Sequence, residues 1–221
     1  MNYDAVIFDF DGVIGRTMED NCRAWDVAFR KIGIVIDQGR YFLTEGMNTK
    51  GVAEMFLAHH GASSSLGDEV VSSKERYYLE NNRFEFYPGV IELLQKFSQR
   101  FQLGLVSGAG FDRLKMAMPS NILKLFSVIV TGDHVEHPKP HPEPYQKAVR
   151  MIGYEPPRCV AVENAPYGIK SAKNAGLYCI AICSTLERKY LSEADVIVNN
   201  IVDIDSIISG QKNSGEVYAI S

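Results

Sequence analysis

The sequence predicts an α/β fold in which a doubly wound parallel sheet carries an inserted α-helical cap. Three observations lead to this prediction: short apolar runs recur along the chain, helical patterns separate most of them, and one long stretch lacks any strand pattern. Alternation of strands and helices is typical of parallel sheets covered by helices on both faces.

Six apolar runs are the candidate strands. They are continuous rather than alternating, which indicates strands buried on both faces, as in a parallel sheet. The runs are Ala5–Phe8, Leu103–Val106, Val128–Val130, Cys159–Val162, Cys179–Ile182 and Val196–Val198.

Helical patterns with recognisable start and stop residues lie between the later runs. One follows Pro88-Gly89, a second begins at Pro142 to Pro144 and stops at Gly153, and a third begins at Pro166 and stops at Gly176. Proline is favoured in the first turn of a helix and glycine just after its end. These segments supply the crossover helices that parallel strands need.

The stretch from Thr17 to about Arg83 contains helical patterns only. Two apolar stripes end at Gly33 and Gly61, and a charged helical pattern follows from about residue 67 to 82. We therefore predict a helical cap at residues 16–84, inserted into a core formed by residues 1–15 and 85–221.

Composition and charge exclude several classes of protein. The 221 residues carry a net charge of −4, whereas nucleic-acid-binding proteins usually present a basic surface. No apolar run approaches the roughly 20 residues that cross a bilayer, and the first residues do not resemble a signal peptide. None of the four cysteines forms a Cys-x-x-Cys pair, so reduced thiols are expected. We expect a cytoplasmic protein without a nucleic-acid or membrane partner.

Two aspartates follow the first strand in Phe8-Asp9-Phe10-Asp11-Gly12-Val13. Side chains at i and i+2 of an extended segment point the same way, so both carboxylates face one site. Carboxylates this close need a cation between them or a shared proton. They suit either a divalent metal or a division of roles into nucleophile and acid/base, although the pair alone is more typical of a helix cap or a solvated turn.

The next two strands are followed by groups that could bind phosphate. Ser107-Gly108-Ala109-Gly110 offers a hydroxyl and backbone N–H groups after the second strand. Lys139 follows the third strand between prolines that keep it out of a helix. Taken alone, these segments could be an ordinary strand-to-helix turn and a solvated lysine.

The fourth strand is followed by Glu163-Asn164-Ala165-Pro166, whose side-chain oxygens suit magnesium. Asn164 could also cap the helix that begins near Pro166. In open α/β sheets ligands bind at the carboxyl ends of the strands, where all four groups lie. Their coincidence favours a phosphoryl-transfer site over four unrelated turns.

These residues resemble the motifs of the haloacid dehalogenase superfamily, and the resemblance covers nearly the whole chain. Residues 8–13 match its first motif, Ser107 its second, Lys139 its third and Glu163-Asn164 its fourth. The helical insertion resembles the C1 cap, and the core resembles the Rossmann-like domain of that superfamily. Residues 23–25, 45–47 and 87–89, together with Glu163, resemble the β-phosphoglucomutase-like subgroup.

The resemblance implies a role for each matched residue. Asp9 would attack phosphorus and form an aspartyl phosphate, and Asp11 would protonate the leaving oxygen and then activate water or a second substrate. Mg²⁺ would be held by Asp9, the backbone carbonyl of Asp11, and the Glu163-Asn164 pair. The residues expected to bind the phosphoryl group or the substrate are Ser107, Gly108, Lys139, Thr17, Trp25, Gly46 and Lys50.

Three positions depart from the family pattern. Asn164 stands where an aspartate is usual, and we expect Glu163 to supply the missing charge. Arg16 replaces a common aspartate at the hinge of the cap. Thr49, followed by Lys50, stands where the mutase-like pattern has an arginine.

We therefore predict an Mg²⁺-dependent phosphohydrolase acting on a small phosphorylated sugar or related metabolite. The sequence leaves the oligomeric state open, and a monomer is compatible with it. β-Phosphoglucomutase activity is the main alternative, and a catalytically weakened regulatory homologue is a more remote one. A phosphonate hydrolase could use Lys50 for a Schiff base, but that subgroup typically lacks the residue that Asp11 supplies. A dehalogenase would not need the magnesium ligands.

Overall fold

The computed structural model describes residues 3–209 and shows a parallel sheet of six strands. The strand order is β3-β2-β1-β4-β5-β6, and each neighbouring pair is parallel. The strands are β1 Ala5–Asp9, β2 Gln102–Val106, β3 Phe126–Val130, β4 Cys159–Glu163, β5 Tyr178–Ile182 and β6 Val196–Val198. The predicted fold class is confirmed, and every predicted apolar run lies in one of these strands.

Ten α-helices accompany the sheet in the described part of the chain. They are α1 Met18–Arg30, α2 Gln38–Phe42, α3 Thr49–His59, α4 Gly67–Asn81, α5 Val90–Ser98, α6 Phe111–Ala117, α7 Ser120–Leu123, α8 Glu143–Ile152, α9 Pro166–Asn174 and α10 Ile204–Ile208. Short 3₁₀ turns lie at Ser64–Leu66, Gly132–His134, Pro156–Arg158, Arg188–Tyr190 and Ile201–Asp203.

The two faces of β1 explain its unbroken apolar sequence. Val6 and Phe8 belong to one buried cluster, which includes residues of α5, whereas Ala5 and Ile7 belong to another, which includes residues of α8. Because helices cover both faces, alternate side chains are all apolar.

Helices α1 to α4 pack around an apolar core of their own. Trp25 and Phe29 of α1 stack with ring centroids 5.7 Å apart, and Phe56 of α3 joins them. Val70 on α4 closes the same cluster. These four helices lie within the range predicted for the cap.

Two chain segments connect these helices to the sheet and pair with each other. The backbone N–H of Arg16 donates to the carbonyl of Glu85 at 2.8 Å, and that of Tyr87 donates to Ile14 at 3.1 Å. An ion pair of 3.6 Å also joins the side chains of Arg16 and Glu85. The domain boundaries at residues 15–16 and 84–85 stay a prediction, and the predicted core range beyond residue 209 lies outside the described residues.

Among residues 3–209, no helix combines the length and apolar character that a membrane span requires.

Candidate active site

The crevice above the sheet lies where strand order reverses. β1 is flanked by β2 on one side and β4 on the other, and chain connections leave in opposite directions from this point. Such a switch point leaves an open crevice at the carboxyl ends of the strands. Asp9 at the end of β1, Ser107 after β2 and Glu163 at the end of β4 meet there.

Lys139 links two of these strand ends. Its ammonium nitrogen lies 2.6 Å from Asp9 Oδ1 and 2.6 Å from Glu163 Oε1. All three side chains are almost completely buried. One cation between two carboxylates therefore holds the ends of β1 and β4 at a fixed separation.

Burial and the neighbouring charges shift the pKa values of Asp9 and Lys139. Burial raises the pKa of Asp9 to about 8; Lys139 opposes the shift, and the carboxylates of Glu163 and Asp11 add to it. Burial disfavours the charged form of Lys139, but Asp9 and Glu163 outweigh it and raise its pKa. The group thus contains more negative than positive charge, and a further cation would relieve the imbalance.

Glu163 is held by several further contacts. Tyr145 on α8 donates its hydroxyl to Oε1 at 2.6 Å, and the backbone N–H of Asn164 donates to Oε2 at 3.1 Å. The carboxylate also lies tightly against Gly168, where a Cβ would come within 2.1 Å of it. A side chain at position 168 would therefore displace Glu163 from Lys139.

Asp11 is held by donors from both parts of the molecule. Its Oδ1 accepts hydrogen bonds from Thr17 and from Arg113 of α6, and Asn21 of α1 lies 3.4 Å away. Its side chain is 20% exposed, more than that of Asp9 at 7%. Asp11 is therefore the more accessible of the two carboxylates and the one in contact with the cap helices.

The loop after β2 is compact. Ser107 is buried, and its hydroxyl accepts a hydrogen bond of 3.1 Å from the backbone N–H of Ala109. Gly108 lies directly beneath the loop before α3, because a Cβ at this position would be 3.2 Å from the carbonyl of Met47 and 3.3 Å from that of Gly46. The cap loop thus covers the segment that was predicted to bind phosphate.

Asn164 does not cap the following helix. Ala165 occupies the N-cap position of α9, and the Asn164 amide instead donates to Glu45 of the cap and to Thr185 Oγ1 at 3.2 Å. The amide lies against Gly12, where a Cβ would be 2.0 Å from its nitrogen. The positive φ of 84° and this close approach both require glycine at position 12.

A cavity of about 320 Å³ lies between the strand ends and the cap helices. Its walls include Asp9, Asp11 and Gly108 from the strand ends and Trp25 and Gly46 from the cap. The volume is at the lower end of the range for small-molecule sites.

Two cationic side chains line the cap end of this cavity. Lys74 of α4 is buried. Its ammonium nitrogen lies 5.6 Å from the centre of the Trp25 ring and 2.9 Å from a carboxylate oxygen of Glu75. Burial and the nearby Arg113 lower the pKa of Lys74 to about 8, although Glu75 opposes the shift. The guanidinium of Arg113 lies 4.5 Å from the ring centre of Tyr78. This end of the cavity is therefore suited to an anionic or polar group.

The structure does not bring Lys50 into the cavity. Its side chain on α3 is 77% exposed and lies 3.9 Å from Glu54, one helical turn away. Thr49, the preceding residue, does line the cavity. The other predicted site residues lie at the strand ends or in the cap loop and helix above them.

The sequence reasoning missed Asn21, Lys74, Arg113 and Tyr145. Asn21 follows Thr17 by one helical turn and could have been found from that spacing. The other three lie on helices that cross the site from elsewhere in the chain, and no spacing connects them to the motifs. Glu45 was noted only as part of a subgroup pattern.

Comparisons with known proteins identify relatives of the chain. The family profile described as haloacid dehalogenase-like hydrolase matches residues 6–182. Validoxylamine A 7'-phosphate phosphatase of Streptomyces hygroscopicus subsp. limoneus is 29% identical over 206 residues, which covers 91% of this chain and 96% of the relative.

Solved structures match over nearly the whole chain. CbbY of Rhodobacter sphaeroides in complex with xylulose-(1,5)bisphosphate superposes with a TM-score of 0.76 at 25% identity, covering 91% of this chain and 96% of that one. The β-phosphoglucomutase of Clostridium difficile gives a TM-score of 0.82 at 23% identity, covering 95% and 96%, and shows the shared fold.

Proposed function

Because the chain belongs to the haloacid dehalogenase-like hydrolase family and is an enzyme, we propose that it is an Mg²⁺-dependent phosphohydrolase of small phosphorylated metabolites. The reaction would pass through an aspartyl phosphate on Asp9. A phosphorylated sugar or a related polyol is the substrate class that the cavity supports best.

The observation that carries the proposal is the position of Lys139 between Asp9 and Glu163. A buried ammonium 2.6 Å from the Asp9 carboxylate orients it and supplies positive charge beside an incoming phosphoryl group. Positioning and charge stabilisation account for most of the catalysis in phosphoryl transfer. The Ser107 loop and the cavity lie at the same strand ends, so the required groups surround one point.

The two aspartates can divide the chemistry between them. An Asp9 carboxylate oxygen would form a bond to phosphorus while the bond to the substrate oxygen breaks, and Asp11 would donate its proton to that oxygen. In the second step Asp11 would take a proton from water as the water oxygen bonds to phosphorus and Asp9 is released. The greater exposure of Asp11 suits a group that must reach both leaving group and water.

The residues present fit a magnesium ion. Asp9, the backbone carbonyl of Asp11 and the side-chain oxygen of Asn164 are hard oxygen donors at adjacent strand ends. Burial, with the nearby carboxylates of Glu163 and Asp11, raises the pKa of Asp9 against the opposing charge of Lys139, so a bound cation would favour the ionised form of Asp9. When bound, Mg²⁺ would supply positive charge to the phosphoryl oxygens.

The cap end of the cavity indicates the rest of the substrate. Lys74, Arg113 and Asn21 offer hydrogen-bond donors, and Trp25 offers an aromatic surface. Hydroxyl groups or a second anionic group would satisfy these donors. The similar phosphatase is named for validoxylamine A 7'-phosphate and the similar CbbY structure holds xylulose-(1,5)bisphosphate, which supports a phosphorylated small molecule as the substrate.

The proposal is tested by measuring inorganic phosphate released from p-nitrophenyl phosphate and from a panel of phosphorylated sugars, with and without Mg²⁺. We expect Mg²⁺-dependent release that is abolished by Asp9→Asn and retained by Asp68→Asn, which removes an exposed carboxylate in the first turn of α4.

The same assay separates the alternatives. Conversion of β-glucose 1-phosphate into glucose 6-phosphate without phosphate release would replace the hydrolase by a mutase. Absence of both reactions, together with failure to bind beryllium fluoride, would indicate a regulatory homologue.

A further inference from the structure

We propose that Glu45, in the cap loop before α3, supplies the carboxylate charge that the cation site lacks because position 164 is asparagine. This inference rests on the proposed function and assigns the cap a direct part in binding Mg²⁺. The cation site would then be complete only when the cap covers the core.

Glu45 reaches from the cap into the core. Its side chain is 4% exposed, and its Oε2 accepts hydrogen bonds from the Asn164 amide and from Thr185 Oγ1 at 3.1 Å. Asn164 and Thr185 follow different core strands, so Glu45 contacts the site across the boundary between core and cap.

The other carboxylate oxygen of Glu45, Oε1, is available to a bound cation. Oε1 is buried and accepts no hydrogen bond from residues 3–209. A buried carboxylate oxygen without a partner is costly, and such groups are usually paired or bound to a metal. Within the described range, Glu45 is also in no ion pair.

Glu163 is less suited than Glu45 to act as this cation ligand. Its Oε1 is already shared by Lys139 and Tyr145, and its Oε2 accepts from the Asn164 backbone. Both of its oxygens therefore already have partners within the protein, whereas Oε1 of Glu45 has none among the described residues.

An asparagine at position 164 is compatible with the buried carboxylate of Glu45 beside it. An aspartate there would place two buried carboxylates in direct contact, which is strongly unfavourable without a bound cation. An amide instead donates to Glu45 and leaves its own oxygen available. The pair thus provides one negative charge and one neutral oxygen, with the charge carried by the cap.

Two variants separate a cation ligand from a simple contact that holds the cap in place. In Glu45→Gln the side-chain oxygen can still accept from Asn164 and Thr185, and the amide replaces the unpartnered oxygen, so the contact is kept and the charge is lost. In Thr185→Val the charge is kept and one contact is lost. Glu54→Gln removes an exposed cap carboxylate and serves as the matched control.

The test measures Mg²⁺ binding to the full chain by isothermal titration calorimetry, with Mg²⁺ alone and no substrate. We expect Glu45→Gln to bind about 10- to 100-fold more weakly than wild type, the range typical of residues that support a metal site. Thr185→Val and Glu54→Gln should stay within about threefold of wild type. The charge-swapped variant Glu45→Gln/Asn164→Asp should regain most of the lost affinity, because the carboxylate returns on the core side.

Hydrogen exchange supplies a second measurement that is independent of activity. Mg²⁺ should slow exchange in residues 44–48 of wild type and of the Glu54→Gln control, and leave it unchanged in Glu45→Gln and in the swapped variant.

Unchanged Mg²⁺ affinity in Glu45→Gln, or no recovery in the swapped variant, would overturn the inference while leaving phosphohydrolase activity intact. A wild-type chain that releases phosphate without binding Mg²⁺ would overturn it too. Loss of the proposed function is seen separately, as absence of phosphate release in a protein that binds Mg²⁺ normally.

Discussion

Lys139 and Lys74 are both buried lysines near the cavity, but their charge environments are opposite. Lys139, on the core side, lies between two buried carboxylates that raise its pKa despite burial. Lys74, on the cap side, has the partly exposed Glu75 as its ion-pair partner and Arg113 nearby, and burial lowers its pKa to about 8.

The difference indicates how the two sides of the cavity work. On the core side positive charge is more than matched by carboxylates, so these groups are fixed before any substrate arrives and can accept a further cation. On the cap side each cation has a single carboxylate partner, Glu75 for Lys74 and Asp11 for Arg113, and both cations line the cavity, where an incoming anion can contact them. The core is thus suited to chemistry and the cap to recognition.

The largest expected effect comes from removing the core lysine. Lys139→Met leaves Asp9 and Glu163 buried without a counter-charge, so we expect a loss of roughly 3–5 kcal/mol in the free energy of unfolding and no measurable phosphate release. Urea denaturation and the phosphate assay measure the two effects. Lys189→Met, at an exposed ion pair with Glu187, should change neither. A stable Lys139→Met protein would show that the core side is not charge-matched as described.

The second effect concerns the acid/base. Asp11→Asn removes proton transfer but keeps the acceptor for Thr17 and Arg113, so we expect kcat to fall by about 10²- to 10⁴-fold with little loss of stability. Steady-state kinetics and thermal denaturation provide the measurements. A normal kcat in Asp11→Asn would mean that another residue acts as the acid/base.

The strand-end residues of these predictions were accessible from sequence, and the cationic side chains Lys74 and Arg113 at the cap end of the cavity were not. Asp9, Ser107, Lys139 and Glu163 each follow an apolar strand, and parallel strands bring their carboxyl ends together whatever the helices do. Lys74 and Arg113 lie on helices whose rotation and packing decide which side chains enter the cavity. Their spacing in sequence carries no information about that packing, and the same limit explains why Lys50 was predicted at the site but lies on the exposed side of α3.

At Asn164 the sequence shows that a usual metal-binding carboxylate is missing, but it does not show which residue replaces it. The missing carboxylate was evident from the motif, and Glu163 was the nearest candidate. Only the structure shows that Glu163 is occupied by Lys139 and that Glu45 of the cap reaches Asn164. A contact across 119 residues of sequence cannot be inferred from local pattern.

Replacing the cap lysine, Lys74, should have a smaller effect, and it should stabilise the protein instead of destabilising it. Lys74→Met removes a buried charge that is poorly compensated, so the free energy of unfolding should rise by about 1 kcal/mol. The KM for a phosphorylated sugar should increase about tenfold, because a charged hydrogen-bond donor is lost. The control is Lys31→Met. Lys31 follows α1 directly and donates a hydrogen bond to Ser73 of α4, outside the cavity. Destabilisation of Lys74→Met without a change in KM would contradict the proposed division between core and cap.

The last expected effect is a pH dependence of Mg²⁺ binding. Because the pKa of Asp9 is raised to about 8 without metal, protons compete with Mg²⁺ below that pH. Apparent Mg²⁺ affinity should therefore rise from pH 6 to pH 8, by up to about tenfold per pH unit, and binding at pH 7 should release protons. Calorimetry in buffers of different ionisation enthalpy measures this release. Affinity that is independent of pH would mean that Asp9 is already ionised on the core side.

The most direct test of the central claim is to trap the covalent intermediate. The enzyme is reduced with borohydride during turnover of its substrate with Mg²⁺, which converts an aspartyl phosphate into homoserine, and the modified residue is located by mass spectrometry of its peptides. We expect modification at Asp9, dependent on substrate and absent in Asp9→Asn. An active enzyme modified at another carboxylate, or at none, would contradict the assignment of Asp9 as the nucleophile.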